Sequence, residues 1–434
     1  MPGSILKRIF MNKKTKAGFI KLCQFIYLTV SYYFQNNLDA SASACTFGFI
    51  FSFIPILMMI LTIFIGILHA SPSIIDLISN TVSKYTDVFN IDKIIHNIGS
   101  GISFSWVNFI LAVFIVWMAR KLFLSIIQGL TRIFKTAAPP RPVIKQLLTF
   151  AGELLIIIIC TLVFLSAFIT RQIFSLPVFS SVAERLPILF SSLSNTVVNL
   201  ALYFILFIFT TAAYKFATGT KPQTKVCVIC SGLCTLSFYI SILILSIFLN
   251  KAKYNTIYGV LSNFIILLLE VYVFFSLFMF FAQGIYTVQF MHPMLLSELY
   301  LLPHHDENLS IKDSARRLLF ITPSAIMSRE NTFFYKCGDS IYTEKDSAEC
   351  VYYVADGSIC EERNSTKTVY AKGAFFGEFE YLLDIPRQGQ ATAETNCIIL
   401  KINDEEFSEL MEKTPEAAAK AMSKLSLHFK SLNI

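Results

Sequence analysis

The chain has 434 residues, 55% of them hydrophobic and only 15% charged, with a net charge of +7 and a mean hydropathy of +0.61. A water-soluble protein of this length cannot hide so much apolar surface, so composition excludes a soluble globular enzyme and points to a multi-span membrane protein. The charge is also unevenly spread, with 25 Lys/Arg against 12 Asp/Glu in residues 1–332 and 11 against 17 in residues 333–434. Two bodies of opposite sign are expected, and the basic excess lies at membrane edges, where it orients the protein rather than binding nucleic acid.

Residues 1–35 read as a basic arm (Lys7, Arg8, Lys13, Lys14, Lys16) and an amphipathic helix over 18–35 on the membrane surface, with Lys21 and Gln24 on its wetter side. No small-residue cleavage site precedes the first span, so no cleavable signal peptide is expected. Residues Ala40–Leu68 carry no charge. As a helix they reach roughly 43 Å, enough to cross a hydrocarbon core of about 30 Å. Ala40, Ala44, Gly48 and Ser52 recur at i+4 and predict a small-residue face for close helix packing, and Pro55 predicts a bend. The second span covers about 101–119, with Trp106 and Trp117 near its ends, and closes on Arg120-Lys121. A basic loop from Arg132 to Lys145 follows. Further spans are predicted at about 147–170, 188–214, 226–250 and 257–287. Lys/Arg are concentrated before span one and in the loops after spans two and four, which puts both termini in the cytoplasm, as an even span count requires. The fold class expected for 36–290 is therefore an all-α bundle of six transmembrane helices.

Residues 291–332 read as a connector containing Pro293, Pro303 and Pro323. From Phe333 the periodicity changes. Short alternating runs (SIYTE, CVYYVA, SICEE, KTVYAK) are separated by Gly338, Gly357 and Gly373, the pattern of strands joined by glycine turns. Residues 404–431 return to helical spacing with a break at Pro415. A small cytosolic β-roll domain with flanking helices is expected over 333–434.

Two carboxylates fall within spans. Glu270 lies near the middle of the sixth and Glu153 in the inner part of the third. Ionisable groups in lipid face the bundle interior or a water-filled cavity, so Glu270 is a candidate for a substrate or proton path, with Arg120 reaching Glu153 at its inner mouth. The structural alternative is an interhelical hydrogen bond or, for Glu153, a boundary position from which it reaches the headgroups. Asn195 and Asn199, at i and i+4 on the fourth span, read as interhelical hydrogen-bonding residues. Cys227, Cys230 and Cys234 share one face of the fifth span and read as small packing residues, and the ten cysteines show no disulfide framework. The cluster His304-His305-Asp306-Glu307 reads as solvated linker, because adjacent side chains point apart; no metal site is expected. No nucleophile–base arrangement, Walker loop or dinucleotide fingerprint is present, so no catalytic residues are assigned and no enzymatic activity is expected.

The strongest local motif is Phe375–Arg387 (FFGEFEYLLDIPR), where a Gly-Glu pair opens a short helix and an arginine lies nine residues beyond the glutamate. Free N–H groups at a helix start attract phosphate, an arginine can neutralise it, and a glutamate can accept from ribose hydroxyls. Residues 333–434 resemble a cyclic nucleotide-binding domain, and Gly373–Arg387 resembles its phosphate-binding cassette. The resemblance implies Glu378 on the ribose 2′-hydroxyl, Arg387 on the cyclic phosphate, and backbone groups near Gly377 and Phe379 in support, with a cyclic nucleotide as effector. Two residues depart from that family's pattern: Glu380 stands where a small residue is usual, and Gln390 where serine or threonine is common.

The membrane part carries a second resemblance. Asn37-Leu38-Asp39-Ala40, Phe51-Ser52-Phe53-Ile54-Pro55, Pro222-Gln223-Thr224-Lys225 and Tyr258-Gly259 resemble the YihY/BrkB family over about residues 18–290. Glu270 and Gln283 depart from that family's usual residues at their positions. The resemblance implies a six-spanning protein of the bacterial inner membrane, linked to serum resistance and proposed to transport, with no settled substrate. An old family label, ribonuclease BN, finds no chemical support in these residues. The expected function is a transporter-like membrane protein with a cytosolic nucleotide-sensing domain; the alternatives are a non-transporting envelope scaffold and, by label alone, a ribonuclease. A cyclic nucleotide-gated channel is set aside, since only about ten residues separate spans five and six and no filter sequence lies there. The partners expected are the lipid bilayer and a cyclic nucleotide, with homo-oligomerisation left open and nucleic acid not expected.

Overall fold

The computed structural model describes residues 3–62, 121–134, 187–216, 220, 222–248, 260–302, 310–321, 326–327, 330–363 and 366–431. Two compact units emerge: residues 29–286, and residues 1–28 together with 287–434. The predicted second and third spans, the basic loop between them from residue 135 onward, Arg120, Glu153, Trp106, Trp117 and the His304–Glu307 cluster lie outside the described residues.

The membrane-type unit is helical. Helix α1 (Gly3–Gln35) runs through both the basic arm and the predicted surface helix. It is followed by α2 (Leu38–Thr62), a helical segment at 121–134, α3 (Pro187–Phe216), α4 (Thr224–Phe248) and α5 (Val260–Gln289). Among the described residues, two helical stretches are long and apolar enough to cross a membrane, Thr224–Phe248 and Phe264–Gln289. The outward face of α4 carries Ile229, Leu236, Leu243, Ile247 and Phe248, all well exposed. Water would not tolerate that surface, and lipid would.

The inner face is built from small and aromatic side chains. Leu38, Ala42 and Cys45 of α2 meet Leu122, Ile126 and Leu130 of the helical segment in one buried cluster with Phe274, Phe278 and Met279 of α5. Gly48 makes the close approach possible, because a Cβ there would lie 3.0 Å from the Leu122 backbone. The predicted small-residue stripe is corrected here. Ala40 and Ala44 are exposed, and of that stripe's residues with described side chains only Gly48 is buried. On α4, Cys227, Cys230 and Cys234 are buried along one face, the packing role expected of them. Tyr214 of α3 donates to the Phe278 carbonyl at 2.9 Å, and Arg132 donates to Ser41 Oγ at 3.3 Å.

The second unit holds the β-roll. Among its described residues the predicted connector carries two helices, α6 (Met291–Leu301) and α7 (Ile311–Phe320). Every residue from Met294 to Tyr300 is buried. Ser310 caps α7, its Oγ accepting from the Asp313 N–H. Gln24 of α1 is also corrected: it is buried rather than on a wetter face, and it donates to the Leu319 carbonyl at the end of α7 at 2.9 Å.

The strands are β1 (Thr332–Tyr335), β2 (Ser340–Tyr342), β3 (Cys350–Asp356), β4 (Ser358–Arg363), β5 (Thr366–Ala371), β6 (Phe375–Phe376), β7 (Gln390–Ala393) and β8 (Cys397–Asn403); β2 to β5 fall on the four predicted alternating runs, and the other four were not singled out in the sequence. They form two antiparallel sheets, ordered β1-β8-β3-β6 and β2-β7-β4-β5. Register places Tyr353 opposite Leu400 and Glu361 between Thr368 and Ala391. The interior is filled by Tyr342, Val354, Ile359, Phe376 and Ile399. Helix α8 (Glu378–Leu383) interrupts the strands, and α9 (Asp404–Lys413) and α10 (Pro415–Ser431) close the chain, broken at Pro415 as expected.

Candidate functional site

Strand β6 ends at Gly377, whose φ of +71° turns the chain into α8. A side chain there would meet both that backbone and Arg387, since a Cβ would lie 2.6 Å from Arg387 Nη1. The short helix then carries Glu378 and Glu380 inward, while Phe379 is half-buried. The chain leaves through Asp384, again with positive φ, and Pro386 to Arg387. The four residues singled out in the cassette, Gly377, Glu378, Phe379 and Arg387, therefore lie in one place.

Arg387 is only 1% exposed. It donates to the carbonyls of Gly377 (2.6 Å) and Cys350 (2.5 Å) and lies over the Tyr342 ring at 4.7 Å. Its Nη1 is 3.7 Å from Glu380 Oε2, an ion pair without a hydrogen bond. Glu378 is equally engaged. It accepts from Tyr300 Oη of α6 at 2.9 Å and from Lys424 Nζ of α10 at 2.6 Å. Glu380 accepts from Arg363 of β4, which also reaches Glu361. Glu361 in turn accepts from Tyr342 (2.8 Å) and Tyr370 (3.0 Å). Burial, and secondarily the Glu361 charge, pushes the Tyr342 and Tyr370 hydroxyls well above their ordinary value; burial and then Glu378 do the same to Tyr300.

Sequence reasoning missed Tyr300, Lys424, Glu361 and Arg363. Glu361 and Arg363 had a signal, since alternation along β4 puts them on the inward face with Ile359, and charges on an inward face are worth flagging. Tyr300 and Lys424 had none, because they come from helices distant in the chain. In kind, the groups suit a cyclic nucleotide: a carboxylate for ribose hydroxyls and an arginine for the phosphate. In arrangement, both are held by the chain's own partners.

In the other unit, Glu270 is half-buried on α5. It lies four residues from each of Ile266 and Phe274, both buried, and so borders the inward stripe of that helix. Asn195 and Asn199 are on α3, with side chains outside the described set.

Comparison with known proteins assigns the two parts separately. The family described as Virulence factor BrkB matches residues 29–292, and the cyclic nucleotide-binding domain matches residues 332–414. A cAMP-dependent protein kinase regulatory subunit of Debaryomyces hansenii is 31% identical over 83 residues, which is 19% of this chain and 18% of that protein. Its counterpart in Candida albicans is 26% identical over 131 residues, 30% of this chain and 26% of that protein. The chain thus spans about a quarter or less of the length of the curated relatives it matches. Among solved structures, the catabolite activator protein of Thermus thermophilus is similar over 24% of this chain and 51% of its own, at 21% identity and a TM-score of 0.22.

Proposed function

Because the chain belongs to the BrkB virulence factor family and joins that membrane domain to a cyclic nucleotide-binding domain, we propose that it is a six-spanning, transporter-like protein regulated by a cyclic nucleotide. The bundle lies in the bacterial inner membrane with both termini in the cytoplasm, where the β-roll meets its effector. The single observation that carries this reading is the fusion itself, with Glu378 and Arg387 converging in the cassette of the second domain. The curated relatives are named for cAMP, which makes it the first nucleotide to test. The inward stripe of α5 supports Glu270 as part of a proton or solute path. Arg120 and Glu153 are assigned to the inner mouth of that path on sequence grounds. We assign the protein no enzymatic activity.

Regulation requires the ligand to bind one membrane conformation more tightly than the other. Purified protein in liposomes containing a proton-sensitive dye tests this directly. Proton or solute flux should appear with protein, change on adding cyclic AMP, and fall in Glu270→Gln. A protein that catalyses no flux of protons, solutes or lipid under any of these conditions is the envelope scaffold instead.

A further inference from the structure

We propose that Glu380 is a built-in stand-in for the ligand's phosphate, so that its carboxylate, held between Arg363 and Arg387, sets the nucleotide affinity of the cassette. This rests on the reading of the β-roll as a cyclic nucleotide site.

The geometry is that of an occupied anion site. Two guanidinium groups converge on one carboxylate: Arg363 bonds Glu380 Oε1, and Arg387 Nη1 lies 3.7 Å from Oε2. Glu380 is 1% exposed, as is Arg387, so neither is a solvated surface charge. The fit is incomplete in a telling way. Among the described residues, Arg387 Nε and Glu380 Oε2 find no hydrogen-bond partner, although both atoms are buried. A buried donor without an acceptor is costly, and a bulkier, more strongly accepting anion would supply one.

Charge counting leads to the same place. The ion-paired groups around the cassette are Glu361, Glu378 and Glu380 against Arg363, Arg387 and Lys424, three of each sign. A cyclic phosphate adds one negative charge to this neutral set, and an uncompensated charge in such surroundings is unfavourable. Removing the Glu380 carboxylate leaves one positive charge in excess, which the monoanion neutralises. A small residue at this position would free Arg387 of its only ion pair among the described residues and leave Arg363 with Glu361. Glu380 therefore acts as an internal competitor, and the affinity of the natural site is depressed by it.

The test is calorimetry on the full chain in detergent with cyclic AMP and cyclic GMP. Glu380→Ser and Glu380→Gln should each bind at least about tenfold more tightly than the unaltered protein. Glu362→Gln, which removes a charge from the exposed side of β4, should change nothing. The glutamine variant keeps an acceptor for Arg363 and reads the same prediction should the serine variant unfold. Binding in both variants no tighter than in the unaltered protein, or no heat from either while thermal melts show them folded, overturns the proposal. The two readings fail separately. Heat from the unaltered protein that the variants do not improve leaves the effector role standing and removes Glu380 from it. A silent unaltered protein with variants that bind supports Glu380 as the competitor and removes the nucleotide as natural effector.

Discussion

Gly377 is where backbone and side-chain requirements coincide. Its φ of +71° is unfavourable for other residues, and a Cβ would press on Arg387 Nη1. Gly377→Ala should therefore cost about 1–3 kcal/mol. Hydrogen-exchange mass spectrometry on the full chain should show faster exchange over β3, β6 and α8, and unchanged protection there would contradict the strain argument. The buried tyrosines make a second prediction at this scale. Tyr300, Tyr342 and Tyr370 hold their protons to higher pH when folded than when unfolded. Their contribution to stability is complete below the unfolded value of about 10 and is lost as pH rises through the folded values. The domain should lose stability above about pH 10, with tyrosinate absorbance rising together with loss of tertiary signal. Titration of all 18 tyrosines before any loss of tertiary signal would show that these hydroxyls are not buried as described. The cassette was legible because its chemistry is local in sequence: Gly-Glu, a short helix, then arginine. Its partners were not, because Tyr300 and Lys424 approach Glu378 from 78 and 46 residues away.

At the level of elements, helix α10 is tied to the cassette and to α6 by two lysines. Lys424 bonds Glu378, and Lys420 bonds the carbonyls of Tyr300 and Leu302 at the end of α6, where helix carbonyls lack partners of their own. Lys424→Met leaves Glu378 with Tyr300 as its one side-chain partner among the described residues, a loss of about 1–3 kcal/mol. Exchange over 415–431 should then accelerate by about tenfold or more, since about 1.4 kcal/mol corresponds to a factor of ten. No change would mean that α10 is held by its apolar face, Ala417 and Ala421, rather than by the ion pair. Strands β2 to β5 were legible from alternation and glycine turns; β1, β6, β7 and β8 were not picked out. The connector helices were not, because Pro293 and Pro303 read as breakers. Pro293 sits in the first turn of α6, where a missing N–H leaves no intrahelical bond unmade. The α2 stripe failed for a geometric reason. Steps of four residues advance about 40° around a helix of 3.6 residues per turn, so a strict i+4 row drifts off the contact face. The buried set Leu38, Ala42, Cys45 follows the mixed i+4, i+3 spacing that stays on it.

For the molecule as a whole, composition made the division into two bodies plain: an apolar, basic part and an acidic part with strand periodicity. Periodicity could place Glu361 and Arg363 on an inward face, but not say which groups they pair with inside the roll. The Lys/Arg distribution predicts cytoplasmic termini, and the regulatory role we propose requires a cytoplasmic C-terminus, since an effector made in the cytoplasm must reach the β-roll. Protease protection of a C-terminal tag in spheroplasts expressing the full chain tests that requirement most directly. The tag should survive added protease while the inner membrane is intact and be digested once detergent is added. Digestion in intact spheroplasts would place the β-roll outside the cytoplasm and contradict the account.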